Sequence, residues 1–200
     1  MTPLTRRATA EFRRATASQV ETGRRWYIEA HEIARNQAEE HGVTIEVASG
    51  VLAAMSPRLG WGSNCVIAER MLASKGTLDH GALGRSLQQA RHIYHGADPM
   101  VVLGGPKTRA FYIAILSAGT EGGAVVDRHA WDMLTGTRGA TPPTIKQYRD
   151  AAEKMERAAT TLGETVHSVQ AVTWLAWRSR FWSKDAFAYN PPPTIQGARQ

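Results

Sequence analysis

Apolar residues recur along most of the chain at the three-to-four-residue spacing of amphipathic helices. Between residues 21 and 41 this spacing predicts one long helix, and Gly42 suits its C-terminal cap. Thr44 suits the N-cap of the next segment, Ile45 to Met55, whose apolar content predicts a helix buried at the centre of the fold. No convincing alternation of apolar and polar residues predicts a strand, so we expect an all-α fold.

Breaks at Pro57, Gly60 and Pro142-Pro143 separate further helical segments. We expect about nine helices in one compact bundle, with two helical lobes and a cleft between them as a variant of the same architecture. Trp26, Trp131, Trp174 and Trp177 fall at helical spacing and are predicted to be core residues. The predicted helices cover residues 5–18, 21–41, 45–55, 63–73, 82–95, 107–116, 127–136, 144–162 and 164–182.

Three parts of the chain differ in composition. Residues 1–20 form a basic N-terminal helix or arm, whose arginines either contact phosphates or form a solvated face. Residues 21–185 form the helical domain. Residues 186–200 include three consecutive prolines and are predicted to be a flexible tail. The arginines of the N-terminal part are Arg6, Arg7, Arg13 and Arg14.

Charge and cysteine content narrow the classes of function. The formal net charge of +6 favours a polyanionic partner, although the excess of arginine, 19 of 24 basic residues, is also typical of GC-rich coding sequences. Cys65 is the only cysteine, which excludes an intrachain disulfide, a thiolate zinc site and a four-cysteine iron–sulfur cluster. His92 and His95 share a predicted helical face but lack an evident third ligand, so no metal site is predicted.

Neither a secretory signal nor a membrane-spanning run is evident. We therefore expect an intracellular, cytoplasmic protein without a membrane partner. No obligate protein partner is evident either.

The segment Gly104-Gly105-Pro106-Lys107-Thr108 carries the first candidate chemistry. Adjacent glycines allow a tight turn and a close approach of a ligand to the backbone, and a proline suits the first position of a helix. The free amide N–H groups at such a helix start can bind a phosphate. Lys107 is either an ordinary surface or phosphate-contacting lysine, or a nucleophile whose neutral amine is favoured by burial and nearby positive potential.

Asp127 carries the second candidate chemistry. It follows Val125-Val126 and precedes Arg128-His129 at the predicted start of a helix. Aspartate is a favoured N-cap residue, and capping is the more common role at such a position. The same carboxylate could also activate water or stabilise a developing cation at the mouth of a cleft.

Three features follow one another along the chain: Gly-Gly-Pro-Lys-Thr, an apolar helix, and Val-Val-Asp-Arg-His. This order resembles the helix-hairpin-helix DNA glycosylase superfamily, particularly its endonuclease III branch without an iron–sulfur cluster. The hairpin would cover residues 98–116. Weaker similarity extends over the segment from Leu52 to Pro57, over Trp61 and Asn64, and over residues 169–175. Small stand-alone relatives of this fold are encoded by bacteriophages, which the resemblance suggests as a source.

The resemblance implies a DNA glycosylase with AP-lyase activity that flips a modified or damaged base out of DNA in base excision repair. Lys107 would attack the sugar C1′ and form a Schiff base, and Asp127 would stabilise the oxocarbenium-like sugar or orient the amine. The hairpin backbone would hold a monovalent cation, and no other cofactor is expected. The implied DNA contacts are Arg58, Trp61, Asn64, Gly104, Gly105, Pro106, Thr108, Arg109, Arg128 and His129.

The sequence departs from this family at three places. The hairpin glycines are adjacent rather than two apart, Arg128 replaces a threonine, and Arg58 lies near the place of a base-probing glutamine. Two alternatives therefore stay open: an enzyme that modifies or transfers a nucleobase on the same scaffold, and a catalytically inert DNA-binding module.

Overall fold

The computed structural model describes residues 2–181, and this part of the chain contains α-helices and no strand. The prediction of an all-α protein is confirmed. One more helix is present in the described residues than the pattern predicts. The helices are α1 (Pro3–Arg14), α2 (Ala17–His41), α3 (Ile45–Met55), α4 (Trp61–Ala73), α5 (Gly84–Tyr94), α6 (Pro99–Val102), α7 (Pro106–Leu116), α8 (Arg128–Thr135), α9 (Ile145–Leu162) and α10 (Val166–Phe181).

Helix ends follow the local chemistry of the sequence. The Thr44 side chain accepts a hydrogen bond from the Val47 amide at the start of α3, as predicted. Gly136 ends α8 in the left-handed conformation, with φ of 74°, which a glycine adopts without steric cost. At α9, Thr144 and Gln147 form a reciprocal capping box.

The additional helix is α6, which has only four residues. Asp98 caps it by accepting a hydrogen bond from the Met100 amide at 2.8 Å, and Pro99 occupies its first turn. A helix of one turn is too short for a periodic apolar pattern, so the sequence pattern did not predict it.

The chain divides into two compact units. Of the described residues, the first unit contains 2–32 and 104–181 and the second contains 33–103, so α2 contributes to both. The predicted flexible tail at residues 186–200 lies outside the described part. None of the described helices is long and apolar enough to cross a membrane.

In the first unit, α1 packs against α8, α9 and α10. Ala8 of α1 is fully buried, and the arginine-rich N-terminus is therefore a packed helix with an exposed cationic face. At Gly23 of α2, an added Cβ would lie 2.7 Å from the Val172 backbone nitrogen, so only glycine permits this approach of α2 to α10. The core of this unit is centred on Met133, Leu134, Met155, Val169 and Trp177.

In the second unit, α3 packs against α4 and α5. Residues 48–55 of α3 are all buried, which confirms the prediction that this apolar helix is a central element. Burial also raises the pKa of the Cys65 thiol to about 12, which keeps it protonated and unreactive. The largest buried side chains around α3 are Met71, Leu72 and Ile93.

Candidate active site

Asp127 lies at the start of α8, and both of its carboxylate oxygens accept hydrogen bonds. Oδ1 accepts from the Ala130 amide at 2.8 Å, which is the predicted N-cap contact. Oδ2 accepts from Trp174 Nε1 of α10 at 2.9 Å. The two bonds fix the carboxylate in orientation, and each oxygen retains a lone pair for a further contact.

The backbone that leads to Asp127 is held by Tyr148 of α9. The Tyr148 hydroxyl donates to the Ala124 carbonyl at 3.2 Å and accepts from the Val126 amide at the same distance. Burial raises the pKa of Tyr148 to about 12, so the hydroxyl keeps the proton that it donates. This buried extended segment therefore satisfies its backbone groups through one side chain.

Lys107 is the second residue of α7, directly after Pro106. Its Nζ lies 5.5 Å from the centre of the Phe111 ring, one helical turn further along. Burial lowers the pKa of Lys107 below the usual lysine range, and the negative charge of Asp127 opposes this shift. The lysine is thus desolvated and lies within the electrostatic field of the aspartate.

Aromatic side chains surround the lysine in the first unit. Phe111 packs 5.9 Å from Trp26 and 6.3 Å from Tyr27, measured between ring centres. The Tyr27 hydroxyl donates to Gln170 Oε1 at 2.8 Å. His167 packs 5.0 Å from Tyr27, and its Nε2 donates to the Glu121 carbonyl at 2.8 Å. The site therefore has a low-polarity wall with a few fixed polar groups.

A second layer covers Trp174 next to Asp127. The Arg178 guanidinium lies 4.1 Å from the centre of the Trp174 ring, and the His129 ring meets Trp174 edge-on at 6.0 Å. Burial lowers the pKa of His129, and the charge of Asp127 opposes the shift. His129, one of the predicted DNA-contact residues, therefore packs against Trp174, which is the hydrogen-bond partner of Asp127.

The hairpin residues occupy the start of α7. Gly105 precedes the helix and provides no side-chain cap, while the Thr108 hydroxyl donates to the Gly105 carbonyl at 3.0 Å. The first amides of α7 therefore have no side-chain cap, and binding of a phosphate at this helix start stays a prediction. Gly104, Pro106, Arg109 and Arg128 are exposed, and Gly105 and Thr108 are half-buried.

The predictions for Asn64 and Trp61 need correction. Asn64 is only 1% exposed, and its Nδ2 donates to the Leu52 carbonyl at 3.1 Å, so it ties α4 to α3 and does not face a ligand. Trp61 was predicted to precede the helix at residues 63–73, but it is the half-buried first residue of α4. Arg58, in the turn between these helices, is exposed with φ of 65°.

Sequence reasoning missed the roles of Trp174 and Tyr148. Trp26 and Trp174 were predicted to be core residues, yet both are half-buried, and Trp174 is bonded to Asp127. Trp131 and Trp177 are buried as predicted. Trp174 lies 47 residues beyond Asp127, and no local spacing links the two residues.

One group in the second unit has the donor types of a cation site. Among residues 2–181, donor atoms of Glu40, His41 and Glu69 lie within 4.8 Å of one another. The His41 ring already pairs with the Glu69 carboxylate, and Glu40 is exposed. The mutual pairing accounts for the arrangement without an ion.

Fold and site thus define an all-helical protein with a desolvated lysine and a fixed carboxylate at two neighbouring helix starts. The chain belongs to DUF7178, a family of unknown function, whose model matches residues 1–181. No curated protein and no solved structure matches the chain.

Proposed function

We propose that this protein is a DNA N-glycosylase with AP-lyase activity, in which Lys107 is the nucleophile and Asp127 the assisting carboxylate. The observation that carries the proposal is the pairing of a desolvated lysine with an aspartate whose two oxygens are held by α8 and Trp174.

The position of Lys107 supports a nucleophilic amine. An amine attacks carbon only as its neutral form, and a pKa below the usual lysine range increases the neutral fraction near pH 7. The free amides at the start of α7 add positive potential, which also disfavours the ammonium form. The same amides can bind a phosphate next to the reacting nucleotide.

The proposed reaction proceeds in two stages. The lone pair of Lys107 Nζ forms a bond to C1′ while the glycosidic bond breaks, and its electron pair leaves with the base, which takes up a proton. Loss of a proton from nitrogen and opening of the sugar ring then give a Schiff base, from which β-elimination cleaves the strand. Asp127 stabilises the positive charge that develops on the sugar.

The aromatic wall supports binding of an extruded base. Trp26 is half-buried beside Phe111 and Tyr27, and an extruded base would stack on this aromatic cluster. Stacking of one base on an aromatic side chain contributes about 1–3 kcal/mol. This offsets the few kcal/mol that extrusion of a nucleotide from the duplex costs.

Borohydride trapping tests the proposal, because reduction converts the Schiff base into a stable protein–DNA adduct. Duplexes that contain uracil, oxidised pyrimidines, 8-oxoguanine or an abasic site are incubated with the protein and borohydride. We expect wild type to form the adduct and Lys107→Ala to lose it. Lys146→Ala is the matched control, since Lys146 is an exposed lysine of α9.

Adduct formation that persists in Lys107→Ala would exclude the nucleophilic role. Binding of DNA by wild type without base release or adduct on any of these substrates would instead favour an inert binding module. Exchange of an intact base without strand cleavage would favour a base-modifying enzyme.

A further inference from the structure

A groove in the first unit lies at the end of α8 opposite to Asp127. It has a volume of about 370 Å³ and is lined by α1, the C-terminal end of α8 and the C-terminal part of α10. Four arginines and one carboxylate line it, with Trp177 beside them. The charged residues are Arg6, Arg7, Glu11, Arg14 and Arg180.

Glu11 orients two of these arginines. It is 3% exposed, and its Oε2 accepts a hydrogen bond from Arg180 at 2.8 Å and lies 3.7 Å from Arg14 NH1. Both guanidiniums are thereby fixed at the groove by a carboxylate that is itself shielded from solvent. Two arginines held by one acid retain a net positive charge.

Arg6 and Arg7 have no carboxylate partner among residues 2–181. Arg7 donates to the Leu134 carbonyl at the end of α8, at 3.1 Å, and both side chains are exposed. The groove thus carries four positive charges against one negative charge, which is a surface suited to an anion.

The length of the cationic surface indicates the kind of anion. Arg6 and Arg14 lie eight residues apart on α1, which corresponds to about 12 Å along the helix axis. A single phosphate group cannot reach both ends, whereas the successive phosphates of one strand can. Arginine forms bidentate contacts to phosphate, and such contacts hold a backbone without reading its bases.

We propose that this groove binds the phosphate backbone of a nucleic acid strand. The inference is independent of the chemistry at Lys107, since a protein that only bound DNA would use the groove in the same way. It decides between the two alternatives for the N-terminal arginines: Arg6, Arg7 and Arg14 contact phosphates, and Arg13, which does not line the groove, belongs to a solvated face.

The location fits a strand that also reaches the candidate active site. Asp127 and Gly136 are the two caps of the eight-residue helix α8, and the rise per residue places them about 13 Å apart. A strand held in the groove would therefore be gripped a few nucleotides away from the nucleotide at Lys107. Contacts to the flanking backbone fix the register of the target nucleotide.

The test measures equilibrium binding of a labelled single strand and of a duplex over a series of salt concentrations. The variant is Arg6→Gln/Arg7→Gln, and Arg13→Gln is the control from the same helix. Each lost phosphate contact lowers affinity about fivefold for single strands and about eightfold for duplex at 0.1 M salt. We expect the double variant to bind roughly 25- to 60-fold more weakly with a shallower salt dependence, and Arg13→Gln to bind as wild type does.

Arg6→Gln alone separates binding from folding, because the Arg6 side chain makes no hydrogen bond or ion pair within the described residues. A thermal unfolding scan accompanies each variant. Equal affinities of all variants, or equal losses in Arg13→Gln, would overturn the proposal. The proposal would also be overturned if Arg6 and Arg7 were needed to bind a nucleoside triphosphate, pyrophosphate or anionic vesicles but were not needed to bind a nucleic acid strand. If wild type forms no adduct with DNA but its strand binding still depends on Arg6 and Arg7, only the glycosylase function is refuted.

Discussion

The two ends of α8 have opposite chemistry. At its start, the Asp127 carboxylate caps the helix in a half-buried, aromatic environment that also contains Lys107. At its end, Gly136 turns the chain and Arg7 donates to the Leu134 carbonyl in an open, cationic groove. The helix dipole favours a negatively charged side chain at the N-terminal end of a helix and a positively charged side chain at its C-terminal end.

The difference between these ends lies in solvent access. Charges at the start of α8 are shielded from solvent, so their interactions are strong and little affected by salt. The guanidiniums of the groove are largely exposed, so their interactions with a ligand weaken as salt rises. The proposed reaction and the proposed binding of a nucleic acid strand would thus take place at opposite ends of α8.

The largest effect is expected from Asp127→Asn, which removes the charge at the start of α8. Asparagine is also a good N-cap residue, so the variant should remain folded. We expect the rate of base release to fall by about 10²- to 10⁴-fold, the usual contribution of a positioned acid–base or electrostatic group. Single-turnover base release, with thermal unfolding as a check on folding, measures this. A wild-type rate in folded Asp127→Asn would leave Asp127 with a capping role only.

Trp174→Phe tests the start of α8 by removing the hydrogen bond to Asp127 Oδ2. The phenyl ring still packs against Arg178, so the main loss is orientation of the carboxylate. A hydrogen bond to a charged group contributes about 1.5–3 kcal/mol, which predicts a rate reduction of about tenfold or more with unchanged DNA affinity.

Trp177→Phe is the control on the same helix. The Trp177 indole N–H has no hydrogen-bond partner in the described part of the chain, so its removal should leave the rate of base release at saturating DNA unchanged. Because Trp177 also lines the groove, the comparison uses this rate and not the affinity for DNA. Equal rate losses in both variants would show that the hydrogen bond to Asp127 does not matter for the reaction.

Gly136→Ala tests the other end of α8. An added Cβ would lie 3.1 Å from Arg7 Nε, and the φ of 74° is strained for alanine. We expect a loss of about 1–2 kcal/mol in the free energy of unfolding together with weaker strand binding, because Arg7 must move.

Gly139→Ala is the matched control for Gly136→Ala. Its φ of 69° gives the same backbone strain, but nothing lies within 4 Å of the added Cβ. Both variants should lower the melting temperature, by about 2–4 °C per kcal/mol, and only Gly136→Ala should weaken strand binding. Equal strand affinity of the two variants would contradict a role of Arg7 in the groove.

The smallest effect concerns the pH dependence of stability. Burial raises the pKa of Glu11 above its ordinary value near 4.5, and the charges of Arg180 and Arg14 oppose this shift. The folded state therefore binds the proton more tightly than the unfolded state, so the contribution of Glu11 is full below pH 4.5 and is lost as pH rises through the raised pKa.

Urea unfolding of wild type and Glu11→Gln from pH 4.5 upward measures this contribution. We expect the stability of wild type relative to the variant to decline as pH rises. A difference that grows with pH instead would mean that the two arginines outweigh the cost of burying the carboxylate.

Local signals in the sequence predicted the helices and their caps well. The apolar segment of α3 with Thr44 before it, and Asp127 with Gly136 around α8, each carry their information within a few residues. Such elements are determined by periodicity and by the chemistry of helix ends, which a single sequence displays.

Side-chain environments were less predictable, because they depend on distant segments. Asn64 was predicted to contact DNA, but packing of α4 on α3 buries it against the Leu52 carbonyl. Trp174 has the spacing of a core residue, and only the tertiary fold brings its indole N–H to Asp127. The glycosylase function itself stays a prediction from the Lys107–Asp127 pair and the resemblance.

The phenol of Tyr148 takes the place of a neighbouring strand for the segment before Asp127, since it both gives and receives a backbone hydrogen bond. The candidate site therefore depends on α9, although neither Lys107 nor Asp127 belongs to that helix. We expect a nascent or proteolysed chain that ends before Thr144 to contain both residues but to lack the contact that holds the backbone before Asp127.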